Sequence, residues 1–125
     1  MALKDVRILI VDDEIFFRKV LRDLLEKIGF TVVAEAADGS QAVQQFRACR
    51  PHIVIMDIYM PEKNGIDATR EMVAVDPNAR VLVASASDYD SDTQAALDVG
   101  AKGILMKPFV PKEVYELIKK VLGGK

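Results

Sequence analysis

Three carboxylates, a hydroxyl and an ammonium group each follow a short apolar segment of this 125-residue chain. In chain order they are Asp12 and Asp13 after the first segment, Asp57 after the third, Ser85 after the fourth and Lys107 after the fifth. Crowded carboxylates repel one another, and a divalent cation relieves that repulsion. Mg²⁺ prefers oxygen ligands and usually keeps several waters, which leaves positions for phosphate oxygens. A carboxylate, a metal ion and a fixed lysine charge together indicate phosphoryl transfer.

Taken singly, these residues also have ordinary structural interpretations. Asp12 and Asp13, with Glu14, could form an N-cap and an acidic first turn that the helix dipole favours. Lys107-Pro108 could simply end a strand. These interpretations do not explain why the residue types that phosphoryl transfer needs coincide at the ends of several segments. We therefore predict a functional cluster.

Apolar segments alternate with helical patterns along the whole chain. The segments typical of strands buried on both faces are residues 6–11, 32–37, 53–56, 81–84 and 103–106. A strand–helix unit that occurs five times predicts an α/β fold, with a five-stranded parallel sheet and helices on both faces. Ligand sites in such sheets lie at the carboxyl ends of the strands, where the predicted cluster also lies. The alternation alone does not give the order of the strands.

The helical patterns differ in strength. Apolar residues recur at three- and four-residue spacing between residues 17 and 28, and again between 114 and 122. Gly29 is predicted to end the first of these helices, and Pro111 to open the last. The patterns at residues 39–50 and 64–76 are less regular. The pattern at 88–99 is the weakest, so that helix is predicted to be short or mobile.

Three ring-bearing residues are interpreted as structural. His52, the single histidine, begins the third strand and is far along it from Asp57. Phe16 and Phe17 are interpreted as packing residues rather than as a platform for a ligand.

Composition excludes several classes of protein. A formal net charge of -2 without a basic run gives no reason to expect nucleic-acid binding. One cysteine, Cys49, excludes an intrachain disulfide. The N-terminus lacks the pattern of a signal peptide, and no apolar run approaches a membrane span. We predict a cytoplasmic protein without membrane insertion, folded as a single domain over residues 1–125.

Five motifs, in order and at characteristic spacing, resemble the receiver domains of two-component response regulators, the CheY-like family. The motifs are Ile8-Leu9-Ile10-Val11-Asp12-Asp13, Ile55-Met56-Asp57-Ile58-Tyr59-Met60-Pro61 with Asn64-Gly65, Ser85-Ala86, Gly100-Ala101-Lys102 and Lys107-Pro108-Phe109. The resemblance covers almost the whole chain. It implies a flavodoxin-like (βα)5 fold with strand order 2-1-3-4-5.

The resemblance also implies a metal site. Asp57 would accept the phosphoryl group and contact Mg²⁺. Asp12 and Asp13 would hold the ion, one of them through water, and the backbone carbonyl of Tyr59 would be a further ligand.

Two more residues would contact the phosphoryl group. Lys107 would pair with it, aimed into the site by a cis bond to Pro108, and Ser85 would hydrogen-bond it after transfer. The sequence departs from the family at Ile104, where receiver domains often have an aromatic residue that acts as a switch. The usual aromatic readout is therefore not expected.

The implied function is Mg²⁺-dependent phosphoryl transfer to Asp57 from a histidine kinase or phosphotransfer protein, which switches binding to a downstream protein. Such a domain is not an enzyme in the usual sense, since it catalyses only its own phosphorylation and dephosphorylation. The alternative is a pseudo-receiver that serves as an interaction module without phosphorylation. The intact cluster argues against that alternative. The glycine-rich motifs of dinucleotide-binding and P-loop folds are absent.

Overall fold

Five parallel strands form one sheet in the computed structural model, which describes residues 2–60, 63–86 and 91–123. The sheet order is β2-β1-β3-β4-β5. The strands are β1 (Arg7–Val11), β2 (Thr31–Ala36), β3 (Ile53–Asp57), β4 (Val81–Ser85) and β5 (Gly103–Met106). The predicted flavodoxin-like fold and its strand order are confirmed.

A helix follows each strand. The helices are α1 (Ile15–Ile28), α2 (Gly39–Cys49), α3 (Gly65–Val75), α4 (Ser91–Asp98) and α5 (Pro111–Leu122), and a short 3-10 helix (Leu3–Asp5) precedes β1. Gly29 follows α1 with a φ of 122°, which glycine adopts without a side-chain clash, and Pro111 opens α5. Both predicted boundaries are confirmed. α4 is eight residues long, as its weak pattern suggested, and positions 88–90 of that prediction lie outside the described residues.

The sheet is covered on both faces, which explains why its strands are apolar without alternation. Along β1, Leu9 and Val11 pack toward α2, α3 and α4, whereas Ile8 and Ile10 pack toward α1 and α5. Each fully buried side chain of this size contributes about 1.5–3 kcal/mol of transfer free energy. No helix among the described residues is long and apolar enough to cross a membrane.

Strand register aligns the carboxyl ends of the central strands. Val11 at the end of β1 pairs with Met56 of β3, so the residues that follow them, Asp12 and Asp57, lie side by side. Gly65 opens α3 close against β3. A Cβ atom there would lie 2.3 Å from the carbonyl oxygen of Asp57, so only glycine allows this approach. The start of α3 is therefore held directly against the end of β3.

Candidate functional site

The structure brings the three predicted carboxylates together. One oxygen from each of Asp12, Asp13 and Asp57 lies within 4.8 Å of the other two. Asp12 is buried and Asp13 is exposed, while Asp57 is partly buried. Carboxylate oxygens at this separation form the kind of donor set that a hard divalent cation such as Mg²⁺ prefers. The residues present therefore fit the metal that the sequence suggested.

Lys107 lies across the cluster. Its Nζ is 3.1 Å from Asp12 Oδ2 and 3.4 Å from Asp57 Oδ2, and only 15% of its side chain is exposed. The Lys107-Pro108 bond is cis, as predicted. The backbone N–H of Lys107 donates to the carbonyl of Ser85 at 2.9 Å, which ties the lysine to the end of β4. The ammonium group thus compensates part of the negative charge of two carboxylates.

An aromatic ring supports the same lysine. Lys107 Nζ lies 4.3 Å from the centroid of the Phe17 ring, within the range of a cation–π interaction. The interpretation of Phe17 as a packing residue does not include this contact, because the contact depends on how α1 crosses the sheet. Phe16, interpreted in the same way, is 67% exposed and packs edge-on against the Phe17 ring, with 5.8 Å between the ring centroids. Consecutive helical residues point about 100° apart, so Phe17 lies against Lys107 while Phe16 is exposed.

Ser85 is the last residue of β4 and is buried. The preceding residue, Ala84, pairs with Asp57 across the sheet, so Ser85 lies at the carboxyl edge beside the cluster. On β5, Ile104 is partly buried and packs against the hydrophobic cluster beneath α2, α3 and α4. An aliphatic side chain therefore stands at the position of the usual aromatic switch.

The loop between β1 and α1 is fixed by hydrogen bonds around Asp12. The Asp12 Oδ1 atom accepts from the backbone N–H of Glu14 at 2.9 Å, and its carbonyl accepts from Arg18 Nη1 at 2.6 Å. Glu14 occupies the N-cap position of α1 but makes no capping bond with its side chain. The alternative interpretation of these acids as a side-chain cap is therefore wrong. The role of Arg18 was not visible in the sequence, because its contact depends on how α1 packs.

Asp57 is not in a favourable environment for a carboxylate without a bound cation. Burial raises the pKa of Asp57 above its ordinary value, and repulsion from Asp12 adds to this rise. The nearby Lys107 ammonium acts in the opposite direction and does not cancel the rise. A divalent cation at the cluster would favour the ionised form, which is the form that can act as a nucleophile.

Tyr59 links the loop after β3 to α4. Its backbone N–H lies 3.5 Å from Asp57 Oδ1, and its hydroxyl group donates to the carboxylate of Asp92 in the first turn of α4. The Tyr59 side chain is largely exposed. Its carbonyl as a metal ligand remains a prediction.

Comparison with known proteins identifies the family of this chain. The family model described as the response regulator receiver domain matches residues 8–119. The chain is 45% identical over 115 residues to the chemotaxis protein CheY of Thermotoga maritima, covering 92% of this chain and 96% of that protein. It is 46% identical over 116 residues to the chemotaxis protein CheY of Bacillus subtilis, covering 93% and 97%.

Solved structures agree with the sequence comparison. A chain of the CheX–CheY–BeF3–Mg²⁺ complex from Borrelia burgdorferi superposes with a TM-score of 0.87 at 33% identity, covering 93% of this chain and 88% of that one. A LuxR-family two-component response regulator from Aurantimonas gives a TM-score of 0.88 at 37% identity, covering 95% and 86%. With its fold, the positions of its acidic residues and these matches in accord, this chain belongs to the CheY-like receiver domain family of two-component response regulators.

Proposed function

We propose that this protein is a phosphorylation-controlled switch that accepts a phosphoryl group on Asp57 with the help of Mg²⁺ held by Asp12, Asp13 and Asp57. The proposal depends on one observation above all. Three carboxylates from the ends of adjacent strands lie within 4.8 Å of one another, and a lysine contacts two of them. In a cluster with only a structural role, repulsion among the three carboxylates would destabilise the fold without serving any function.

In the proposed reaction a carboxylate oxygen of Asp57 attacks the phosphorus atom of the donor. The new oxygen–phosphorus bond forms as the bond from phosphorus to the donor's leaving atom breaks, and the leaving group takes that electron pair. When bound, Mg²⁺ neutralises the charge on the phosphoryl oxygens. Asp12 and Asp13 would hold the ion, and Asp57 would present the nucleophile from the end of β3. Positioning and charge neutralisation provide most of the catalysis in such a transfer.

Lys107 and Ser85 would recognise the product. Lys107 is free to exchange its contact with Asp57 for one with a phosphoryl oxygen, which is a stronger charge-assisted bond. The Ser85 hydroxyl, at the end of β4, would donate to another phosphoryl oxygen. Both bonds exist only after phosphorylation, and a modification shifts a conformational equilibrium only through such differential contacts.

The proposed donor is a phosphohistidine on a kinase or phosphotransfer protein, and the proposed output is altered binding to a downstream protein. Residues 1–125 would act as one receiver domain. Two relatives that are 45% and 46% identical to this chain are chemotaxis proteins, which supports a role in signalling. The histidine kinase and the target would both bind near the carboxyl edge of the sheet or the helices beside it.

The test is phosphorylation by a small-molecule donor. Wild-type protein is incubated with acetyl phosphate, with Mg²⁺ or with EDTA, and the intact mass is measured. We expect a gain of one phosphoryl group that requires Mg²⁺ and disappears in Asp57→Asn, since an amide is a far poorer nucleophile. The exposed Asp23→Asn is the matched control and should be phosphorylated normally. Equal phosphorylation of Asp57→Asn and wild type would indicate another phosphorylation site. No phosphorylation of wild type would favour the pseudo-receiver alternative.

A further inference from the structure

The loop of residues 12–14 carries two of the three clustered carboxylates, and a side chain of α1 holds its backbone. Asp12 donates its N–H to the carbonyl of Ala36 on β2 at 3.1 Å. Its own carbonyl accepts from Arg18 Nη1 at 2.6 Å. Since Asp12 is 5% exposed, water has little access to replace this bond. The position of Asp12 therefore depends on where the Arg18 guanidinium lies.

Glu35 fixes that guanidinium. Its Oε1 lies 3.0 Å from Arg18 Nε, and its Oε2 accepts from Arg22 Nη1. The side chains of Arg18 and Glu35 are 16% and 29% exposed, so the pair is largely shielded. Because Glu35 holds one edge of a rigid planar fork, the other edge is directed at the Asp12 carbonyl. Within the described residues, Arg18 forms its ion pair with Glu35 and not with a carboxylate of the cluster.

We propose that Arg18, oriented by Glu35, is a positioning residue for Asp12 and thereby for Mg²⁺ binding. The inference rests on the proposed function, because it assumes that Asp12 is a metal ligand. Glu35 has a second effect in this arrangement. The ion pair with Glu35 prevents the Arg18 guanidinium from turning toward the clustered carboxylates, where it would compete with the metal.

Charge and positioning predict opposite results when Arg18 is removed. A positive charge near a cation site weakens metal binding, so charge alone predicts tighter Mg²⁺ binding by an uncharged variant. Loss of positioning predicts weaker binding, because Asp12 is no longer held in place. Groups that orient metal ligands typically contribute about tenfold or more to metal affinity. The sign of the change therefore separates the two explanations.

The experiment is a Mg²⁺ titration followed by the backbone amide NMR shifts of residues 12–14 and 57. Two variants, Arg18→Met and the control Arg22→Met, are each compared with wild type. Arg22→Met also removes one positive charge that pairs with Glu35, but Arg22 makes no contact with the Asp12 carbonyl. We expect about tenfold weaker binding for Arg18→Met and unchanged or slightly tighter binding for Arg22→Met. Binding by Arg18→Met as tight as wild type, or tighter, overturns the proposal.

A double variant tests whether Arg18 acts through Asp12. In an Asp12→Asn background the ligand is already impaired, so Arg18→Met should cause little further loss of affinity. Fully additive losses would contradict the proposal. Metal-free protein gives an independent measure, since exchange of the Glu14 amide hydrogen, which donates to Asp12, should accelerate in Arg18→Met and not in Arg22→Met.

Arg18→Lys covers the case in which Arg18→Met does not fold. Lysine keeps the charge but lacks the fork that reaches Glu35 and the Asp12 carbonyl together, so it should also weaken Mg²⁺ binding. Wild-type affinity in Arg18→Lys would contradict the proposal. The wild-type titration distinguishes the two hypotheses. No response to millimolar Mg²⁺ contradicts the proposed function and the inference with it, whereas normal binding and phosphorylation with an unaffected Arg18→Met contradict the inference alone.

Discussion

Removing the charge of Asp57 should stabilise the metal-free protein, even though the residue is proposed as its most important functional group. In Asp57→Asn the amide keeps the shape of the side chain and loses its charge. With an effective dielectric constant of about 20, attraction to Lys107 at 3.4 Å is worth about 5 kcal/mol. Repulsion from Asp12, no more than 4.8 Å away, costs at least about 3.5 kcal/mol on the same scale. Repulsion from the exposed Asp13 adds a smaller, screened amount.

These opposing charge terms nearly cancel, so the cost of burying the carboxylate decides the sign. The Asp57 side chain is 13% exposed, and the effective penalty for burying an ion is several kcal/mol. Burial is also the largest cause of its raised pKa. We expect Asp57→Asn to be more stable at neutral pH by about 1–3 kcal/mol. That difference shifts the midpoint of urea unfolding upward by about 1 M.

The stabilisation should depend on pH with a defined sign. Because the pKa of Asp57 is higher in the folded state, the folded protein binds the Asp57 proton more tightly than the unfolded chain does. The stability that Asp57 contributes is therefore fully present below its ordinary pKa of 3.8, and it is lost as the pH rises through the folded value. The difference in unfolding free energy between Asp57→Asn and wild type should therefore become smaller as the pH falls from 7 toward 4.

Urea unfolding in EDTA at several pH values measures this gap, and Asp23→Asn on the exposed face of α1 is the matched control. The control should change stability by no more than about 0.5 kcal/mol. Mg²⁺ should reduce the gap by stabilising wild type more than Asp57→Asn, since a ligand stabilises the state that binds it. Lower stability of Asp57→Asn than of wild type in EDTA would refute the reasoning, as would a gap that is independent of pH.

Three further predictions concern residues around the site and at the amino-terminal end of β3. Gly65→Ala should destabilise the protein by about 3 kcal/mol in urea unfolding, because its Cβ would lie 2.3 Å from the carbonyl oxygen of Asp57; unchanged stability would contradict that contact. Asn64→Ala should cost about 1 kcal/mol in the same assay, because the Asn64 side chain caps α3, and a neutral result would contradict the cap. The ring of His52 should titrate below 6.5 in NMR, because burial lowers its pKa and its Nδ1 accepts a hydrogen bond from the Arg7 backbone N–H. The stability that neutral His52 contributes is then lost as the pH falls below about 6.5. A His52 pKa at or above that value would contradict the hydrogen bond.

Much of the site was predictable because parallel strands place their carboxyl ends at one edge. The apolar segments that precede Asp12 and Asp57 are enough to predict both residues at that edge. Their adjacency required β1 and β3 to be neighbours, and strand–helix alternation contains no information on that order. The resemblance to receiver domains provided it, and the pairing of Val11 with Met56 confirmed it. The strands extend one residue beyond the apolar runs at Asp57 and Ser85, because the hydrogen-bonded ladder continues after side-chain polarity changes.

The supporting contacts were not predictable from local patterns. Arg18 and Glu35 lie 17 residues apart on α1 and β2, and their ion pair depends on how the helix crosses the sheet. The same crossing decides that Phe17 lies under Lys107 while Phe16 is exposed. Spacing along one helix identifies an apolar face, but it does not identify the side chains of other elements that the face meets.

Identification of the phosphorylated atom tests the central claim most directly. Protein treated with acetyl phosphate and Mg²⁺ is reduced with borohydride, which converts an acyl phosphate on aspartate to the alcohol, and the digest is sequenced by mass spectrometry. We predict reduction at Asp57 alone, and none in a sample prepared with EDTA. Reduction at Asp12 or Asp13, or none at Asp57 in protein that has bound Mg²⁺, would contradict the assignment of Asp57 as the phosphoacceptor.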